Sequence, residues 1–337
     1  MNILVTGGAG FVGGHLTRDL RAKGHYVRSL DLQPGPDAND SIIADIRAKE
    51  DLARAMESID LVFHLAAEHR DDVRPPSLYY DVNVEGTRNV LTAAEVAGVE
   101  TIVFTSTVAL YGLQGGEPDE GATPAPFNDY GRSKLQAEEL LAEWVRGGDR
   151  RRALVVRPTV VFGEGNRGNV NTLICQIDQG RFVFVGSGRN RKSMCYVGNF
   201  APFLTWLSEQ NADPGFRVFN YVDKPDLTSA ELVRIIRSEL GLDPEGGVRL
   251  PKVVGMMGGL AFDAASTLTG RTYPVSSIRV RKFCADTTIG ASALKELAFE
   301  PPFSIRDGLH RTIAFMENES LLRSRPSRGH RADASGQ

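Results

Sequence analysis

At 337 residues the chain exceeds what a single small core serves, so one large or two closely joined domains are expected. A net charge of −3, with Lys and Arg scattered along the chain, leaves no basic footprint for nucleic acid. Three cysteines, Cys175, Cys195 and Cys284, stand far apart without a C-x-x-C pair, which argues against a disulfide frame and a zinc site and for a reduced, cytoplasmic protein.

The first element is a strand, Ile3–Thr6, with no charged and apolar leader before it, an argument against secretion. It runs into Thr6-Gly7-Gly8-Ala9-Gly10-Phe11-Val12-Gly13, whose glycines fit G-x-G-x-x-G from Gly8 and G-x-x-G-x-x-G from Gly7. Only glycine permits both the tight turn and a close approach by another group. The amphipathic helix His15–Lys23 follows, so the loop amides lie at a helix N-terminus, where they and the helix dipole attract a pyrophosphate. A second strand, Tyr26–Leu30, ends at Asp31, where a ribose-binding carboxylate belongs. The blander alternative is a glycine-rich structural turn.

Further strands are expected at Ser41–Ala44, Leu61–Leu65, Ile102–Thr105 and Leu154–Arg157, with helices at Lys49–Met56, Val82–Ala97 and Gly131–Trp144. Val218–Tyr221 returns to the same sheet. This alternation predicts an α/β fold, a doubly wound parallel sheet with helices on both faces. After Pro158 the pattern turns irregular, with a glycine-rich turn at Gly163–Asn169 and helices at Asp226–Leu240, from Pro251 onward, and at Ile305–Glu317. The most apolar stretch, Val253–Leu268, is broken by Gly255, Gly258, Gly259 and Asp263 and is too short to cross a bilayer. No integral membrane segment is expected, only a buried or surface-lying helix. Residues 1–162 with a return segment at about 192–222 are assigned to a dinucleotide-binding domain. Residues 163–191 and 223–317 form a smaller, mixed, substrate-binding domain. The Arg-, Ser- and Gly-rich tail, 318–337, is expected to be disordered.

Tyr130-Gly-Arg-Ser-Lys134 places a phenol and an ammonium four residues apart, on one helix face. The ammonium favours phenolate and is expected to lower the tyrosine pKa from ~10, making Tyr130 a general acid/base for an alcohol or ketone. Upstream, Thr105-Ser106-Thr107 puts hydroxyls at a strand's carboxyl end, where one can hold the substrate oxygen that exchanges its proton with Tyr130. Turn capping is the competing role for Ser106 and Thr107.

From Met1 to about Phe315 the chain resembles an extended short-chain dehydrogenase/reductase of the NAD-dependent sugar-nucleotide epimerase/dehydratase branch. The resemblance rests on T-G-G-A-G-F-V-G, Asp45-Ile46, His64-Leu-Ala-Ala67, Asn83-Val-Glu-Gly-Thr87, S-T-V-A-L-Y-G, Y-G-R-S-K and Arg157-Pro158. It implies a Rossmann-type sheet and NAD as cofactor. Gly7, Gly10, Phe11 and Val12 would line the pyrophosphate, Asp31 the adenosine ribose, and Asp45 and Ile46 the adenine. Leu65, Ala66 and Ala67 would pass beneath the cofactor, supported by Asn83; Thr105 and Pro158 would border its nicotinamide end. Thr107, Tyr130 and Lys134 would be catalytic, with Lys134 also on the nicotinamide ribose. His64 reads as a packed strand residue. Asp31 repels a 2′-phosphate and Leu32-Gln33-Pro34 offers no cation to accommodate one, so NAD is favoured over NADP.

Relatives that eliminate water from a hexose resemble one another in an acidic residue after the catalytic hydroxyl; here Val108 and Ala109 stand there, which disfavours dehydration. The resemblance places Asn169, Arg191 and Lys192 at a substrate diphosphate, with Lys192 where many relatives have Arg and Asn199 in place of a more usual Asp. The expected activity is C4 epimerisation or oxidoreduction of a UDP-sugar in bacterial polysaccharide biosynthesis. Alternatives are a 4-keto-sugar reductase, a 3β-hydroxysteroid dehydrogenase-like enzyme on a lipid, and a non-catalytic cofactor-sensing protein. A homodimer through the helices after Pro75 and Tyr130, using Leu91, Leu135 and Leu140, is implied by resemblance alone.

Overall fold

In chain order the strands are β1 (Asn2–Thr6), β2 (Tyr26–Asp31), β3 (Asp40–Ile43), β4 (Leu61–His64), β5 (Thr101–Thr105), β6 (Arg152–Pro158), β7 (Val160–Phe162), β8 (Val183–Val185), β9 (Arg191–Tyr196), β10 (Gly215–Tyr221), β11 (Asp223–Thr228) and β12 (Val248–Leu250). The helices are α1 (Phe11–Ala22), α2 (Lys49–Ala55), α3 (Ser77–Tyr80), α4 (Thr87–Ala97), α5 (Asp129–Arg146), α6 (Asn169–Asp178), α7 (Val197–Glu209), α8 (Ser229–Glu239), α9 (Lys252–Thr269), α10 (Ser277–Cys284), α11 (Ser292–Lys295) and α12 (Ile305–Asn318). This computed structural model describes residues 1–70, 73–112, 116–210, 213–269 and 277–323.

Seven strands form one sheet in the order β10-β6-β5-β4-β1-β2-β3, every neighbouring pair parallel. Alternate residues of each strand serve opposite faces. Leu4, Val62 and Ile102 pack with Leu52, Leu91 and Leu141 from α2, α4 and α5. Ile3, Val5 and Phe63 pack with Leu16, Leu20, Phe200 and Phe203 from α1 and α7. Burial on both faces is why these strands read as short apolar runs. The strand order reverses beside β1, between β2 and β4, and ligands of such sheets bind outside the carboxyl ends at that point.

A third core, built on Phe162, Ile174, Tyr196, Ile236 and Leu309, holds together α6, α8, α12 and a small sheet of order β11-β9-β7. Within the expected return segment, β9 opens in this small sheet, α7 packs on the large one, and β10 joins its edge. Two expected helices are subdivided. Residues 82–97 comprise a π-helical turn, Asp81–Gly86, followed by α4. Residues Asp226–Thr228 belong to a strand; the helix starts one residue later because Thr228 and Glu231 cap it reciprocally, at 3.1 and 2.8 Å. The tail expected to be disordered from residue 318 begins with ordered chain. Leu322 packs on the third core and Arg323 N–H bonds Asp178 at 3.0 Å; residues 324–337 lie outside those described.

Candidate active site

β1 delivers the glycine loop to the sheet's carboxyl edge, where Gly7 adopts φ +74° and donates its N–H to Leu30 O at 2.8 Å. A Cβ at Gly7 would stand 2.7 Å from the Ala66 nitrogen, so the loops after β1 and β4 meet only because residue 7 is glycine. Gly10 caps α1 with extended backbone and no side-chain partner, leaving the amides of the first turn to a ligand. Phe11 and Val12 form that first turn. Asp31, at the end of β2, accepts from Ala9 N–H at 3.1 Å and Gln33 N–H at 3.3 Å, so its carboxylate sits beside the loop. Asp31→Asn is expected to raise NADP affinity relative to NAD by ~10-fold, about 1.4 kcal/mol, read as a ratio of dissociation constants; an unchanged ratio would refute the role given to Asp31.

Asp45, expected at the adenine, is gripped by Arg47 (2.7 and 3.0 Å), which holds its carboxyl below the usual range. Ile46 is buried against Gly86, so its backbone, not its side chain, can border a base. Leu65 and Ala66 are tied to β1 through Thr6, at 3.0 and 3.3 Å. The buried Asn83, in the π-helical turn, accepts from Glu68 N–H (2.8 Å) and donates to Glu68 O (3.0 Å) and Ser133 Oγ (2.9 Å). It thereby fixes the chain that follows Ala67 to α5, at the residue just before Lys134.

His64 is fully buried between Thr6 (2.7 Å) and Thr87 (3.0 Å), and burial holds its pKa down at about 3. Its unfolded form takes a proton below pH 6.5 and the folded form does not, so stability falls as pH drops through this window. Between pH 7 and 4 the wild type is expected to lose ~3 kcal/mol more than His64→Gln in urea melts; equal losses would sink this account.

The catalytic candidates converge on α5. Thr107, the N-cap of a short turn Val108–Tyr111, accepts from Ala109 N–H at 3.1 Å, and its hydroxyl lies near enough to Tyr130 to lower that phenol's pKa. Ser106 is excluded from that role because its buried hydroxyl donates to Glu138. Lys134 is 2% exposed, its ammonium 3.9 Å from the centre of the Phe104 ring. The expected lowering of the tyrosine pKa is not what the structure shows. Burial raises Tyr130 to about 12, opposed by the Thr107 hydroxyl, and lowers Lys134 to about 7. Withdrawal from water favours the neutral form of both groups.

Around this set lie residues whose contacts only the fold reveals, Tyr79 and Glu138 among them with no motif of their own. Tyr79 lies 6.2 Å from Tyr130, ring centre to ring centre. Glu138 and Arg157 form a buried two-pronged ion pair (2.9 and 2.5 Å), and Arg157 continues to the Tyr111 hydroxyl at 2.7 Å and thence to Asn220 at 2.9 Å. The spacing Tyr130, Lys134, Glu138 places the acid on the catalytic face of α5, the one clue available beforehand. Thr105 Oγ1 and Thr159 Oγ1, at the ends of β5 and just past Pro158, are buried without protein partners. Two such orphaned hydroxyls at the carboxyl edge fit an amide-bearing ligand.

The substrate candidates occupy the small lobe. Asn169 opens α6 and is exposed. Arg191 is exposed on β9; the Lys192 ammonium donates to Ala285 O at 2.7 Å, with burial lowering its pKa. Asn199 is fully buried and pins Asp223 (3.1 Å) to Phe303 (2.8 and 2.9 Å), a structural role that explains an amide there.

A glycine loop at a switch point, facing a Thr–Tyr–Lys set on the same edge, is the architecture of an extended short-chain dehydrogenase/reductase. Residues 3–221 match the model of the NAD dependent epimerase/dehydratase family. The chain belongs to that family, and NAD is its cofactor. It is 46% identical over 318 residues, 93% of this chain and 95% of the relative, to N-acetyl-alpha-D-glucosaminyl-diphospho-ditrans,octacis-undecaprenol 4-epimerase of Escherichia coli O157:H7. A 3 beta-hydroxysteroid dehydrogenase/Delta 5-->4-isomerase of Mycobacterium tuberculosis is 29% identical over 93% of this chain and 90% of its own length. Among solved structures, MoeE5 in complex with UDP-glucose and NAD superposes with a TM-score of 0.75 at 26% identity, covering 95% of this chain and all of that one.

Proposed function

We propose that the protein is an NAD-dependent 4-epimerase of an N-acetylhexosamine joined through a diphosphate to a polyprenol, serving bacterial polysaccharide assembly. The observation that carries this reading is the 46% identity along nearly the whole chain to an enzyme of that specificity. The glycine loop, Asp31 and the orphaned Thr105 and Thr159 hydroxyls would hold the cofactor. When bound, NAD would accept and return a hydride, and its ring charge would favour the Tyr130 phenolate against the effect of burial.

Tyr130 takes the proton of the C4 hydroxyl as that carbon is oxidised, and gives it back after the 4-keto sugar has turned its other face. Thr107, beside Tyr130, orients the C4 oxygen during both steps. Val108 and Ala109 supply neither acid nor base at the next carbon, so elimination does not compete. Asn169, Arg191 and Lys192 are proposed to meet the diphosphate, a group common to polyprenyl-linked and nucleotide-linked sugars. The nucleotide sugar is therefore the second reading, supported by the likeness to a UDP-glucose complex.

Purified protein, without added cofactor, is expected to interconvert polyprenyl-diphospho-GlcNAc and polyprenyl-diphospho-GalNAc, followed by chromatography of the released sugars. Interconversion of UDP-GlcNAc and UDP-GalNAc alone would replace the first reading with the second. Inertness toward both until a 4-keto sugar and NADH are supplied would make the enzyme a reductase.

A further inference from the structure

Helix α9 is built inside out. Gly255 and Gly259, one turn apart, are buried; a Cβ at Gly255 would overlap the Val185 side chain of β8. Val253, Met257 and Leu260, spaced four and three residues apart on another face, expose 70, 67 and 57% of their surface. Val254, at the edge of that face, is also exposed. A helix packed on a core shows the reverse arrangement, and a contiguous apolar face of this kind marks an interaction surface.

The surrounding sequence carries opposite charge to the chain as a whole. Residues 245–283 contain six Arg and Lys (Arg249, Lys252, Arg271, Arg279, Arg281 and Lys282) against two acids, Asp263 and Glu245, the latter paired with Arg249 at 3.4 Å, in a protein of net charge −3. Asp263 accepts from Ser277 N–H at 3.1 Å, joining α9 to α10. Among the described residues, no helix is long and apolar enough to cross a membrane. An apolar face set in a basic segment fits a helix lying in the headgroup region of an anionic bilayer.

Position ties this face to the substrate lobe. α9 rests on β8, which pairs with β12 and leads through Gly186, whose N–H bonds Leu250 O at 2.9 Å, into the turn that ends at Arg191 and Lys192. We propose that α9 docks the enzyme on an anionic phospholipid bilayer, so that a diphosphate at Arg191 and Lys192 enters from the membrane surface while the lipid chain stays in the bilayer. The inference rests on the polyprenyl reading above for its purpose, but not for its test.

Wild-type protein and the triple variant Val253→Gln, Met257→Gln, Leu260→Gln are sedimented with vesicles of phosphatidylcholine alone and with 30–40% phosphatidylglycerol, about the anionic content of a charged leaflet. The expected result is wild-type binding to the anionic vesicles, at least ~10-fold weaker binding of the variant, and weaker binding to neutral vesicles or at high salt. Circular dichroism and NAD content of the variant should match wild type, because these side chains face solvent. Absence of wild-type binding, or equal binding by the variant, would overturn the proposal. So would light scattering that shows a wild-type dimer split by the triple variant, which would assign the face to a second copy of the chain. Vesicle binding without turnover of polyprenyl-diphospho-GlcNAc would support docking while rejecting the polyprenyl substrate.

Discussion

Tyr130→Phe is expected to lower turnover by about 10³-fold while the protein retains near-normal NAD, measured from nucleotide released on denaturation. The ring keeps its packing beside Tyr79, 6.2 Å away, and only the hydroxyl next to Thr107 is lost. Among the described neighbours, Ser106 is committed to Glu138, Tyr79 donates its hydroxyl to Arg70 O, and His64 is held between two threonines with its pKa near 3. Turnover within tenfold of wild type would refute the mechanism. Lys134→Met serves as the contrast. It should lose NAD as well as turnover, because Lys134 is assigned to the cofactor as well as to tuning Tyr130.

The second large effect is on stability. Glu138→Gln leaves the Arg157 guanidinium buried without its counter-charge, and a loss of about 3–5 kcal/mol is expected in urea denaturation. Both side chains are almost wholly buried, 4 and 7% exposed, so solvent screening does not dilute the figure. The double variant Glu138→Leu, Arg157→Met removes the pair together and should recover a large part of the loss. A single variant within 1 kcal/mol of wild type would show that the pair bears little on the fold. Because Glu138 also bonds Ser106, next to Thr107, the single variant should lower kcat more than it raises KM even below its melting range.

The seven strands of the large sheet were legible because burial on both faces leaves a simple signal, short apolar runs separated by amphipathic helices. The glycine loop, Asp31 and the Tyr130–Lys134 spacing were legible for a similar reason, since backbone geometry and helix periodicity dictate them locally. What sequence could not supply depends on contacts between distant segments. The link from Arg157 to Tyr111 and Asn220 joins the ends of β6 and β10 to the turn that follows β5, and the orphaned Thr159 hydroxyl is visible only once its surroundings are known. The sign of the Tyr130 shift was misjudged for the same reason: proximity to an ammonium is read from spacing, whereas loss of water is a property of the whole fold. In the small lobe, Thr228 looked helical because its cap function lies in a side chain that ends a strand.

The large sheet is completed late. β6 ends at Pro158, but its outer neighbour β10 begins only at Gly215, after the chain has crossed into the small lobe and returned. At ~5–20 residues per second, a ribosome needs roughly 3 to 12 s to make the intervening stretch. Throughout that interval the edge of β6 presents unpaired N–H and C=O groups beside the buried run Leu154–Val156, a template for pairing with another nascent chain. Truncation between β6 and β10 should therefore yield aggregates, whereas a fragment ending after Tyr221 should remain dispersed.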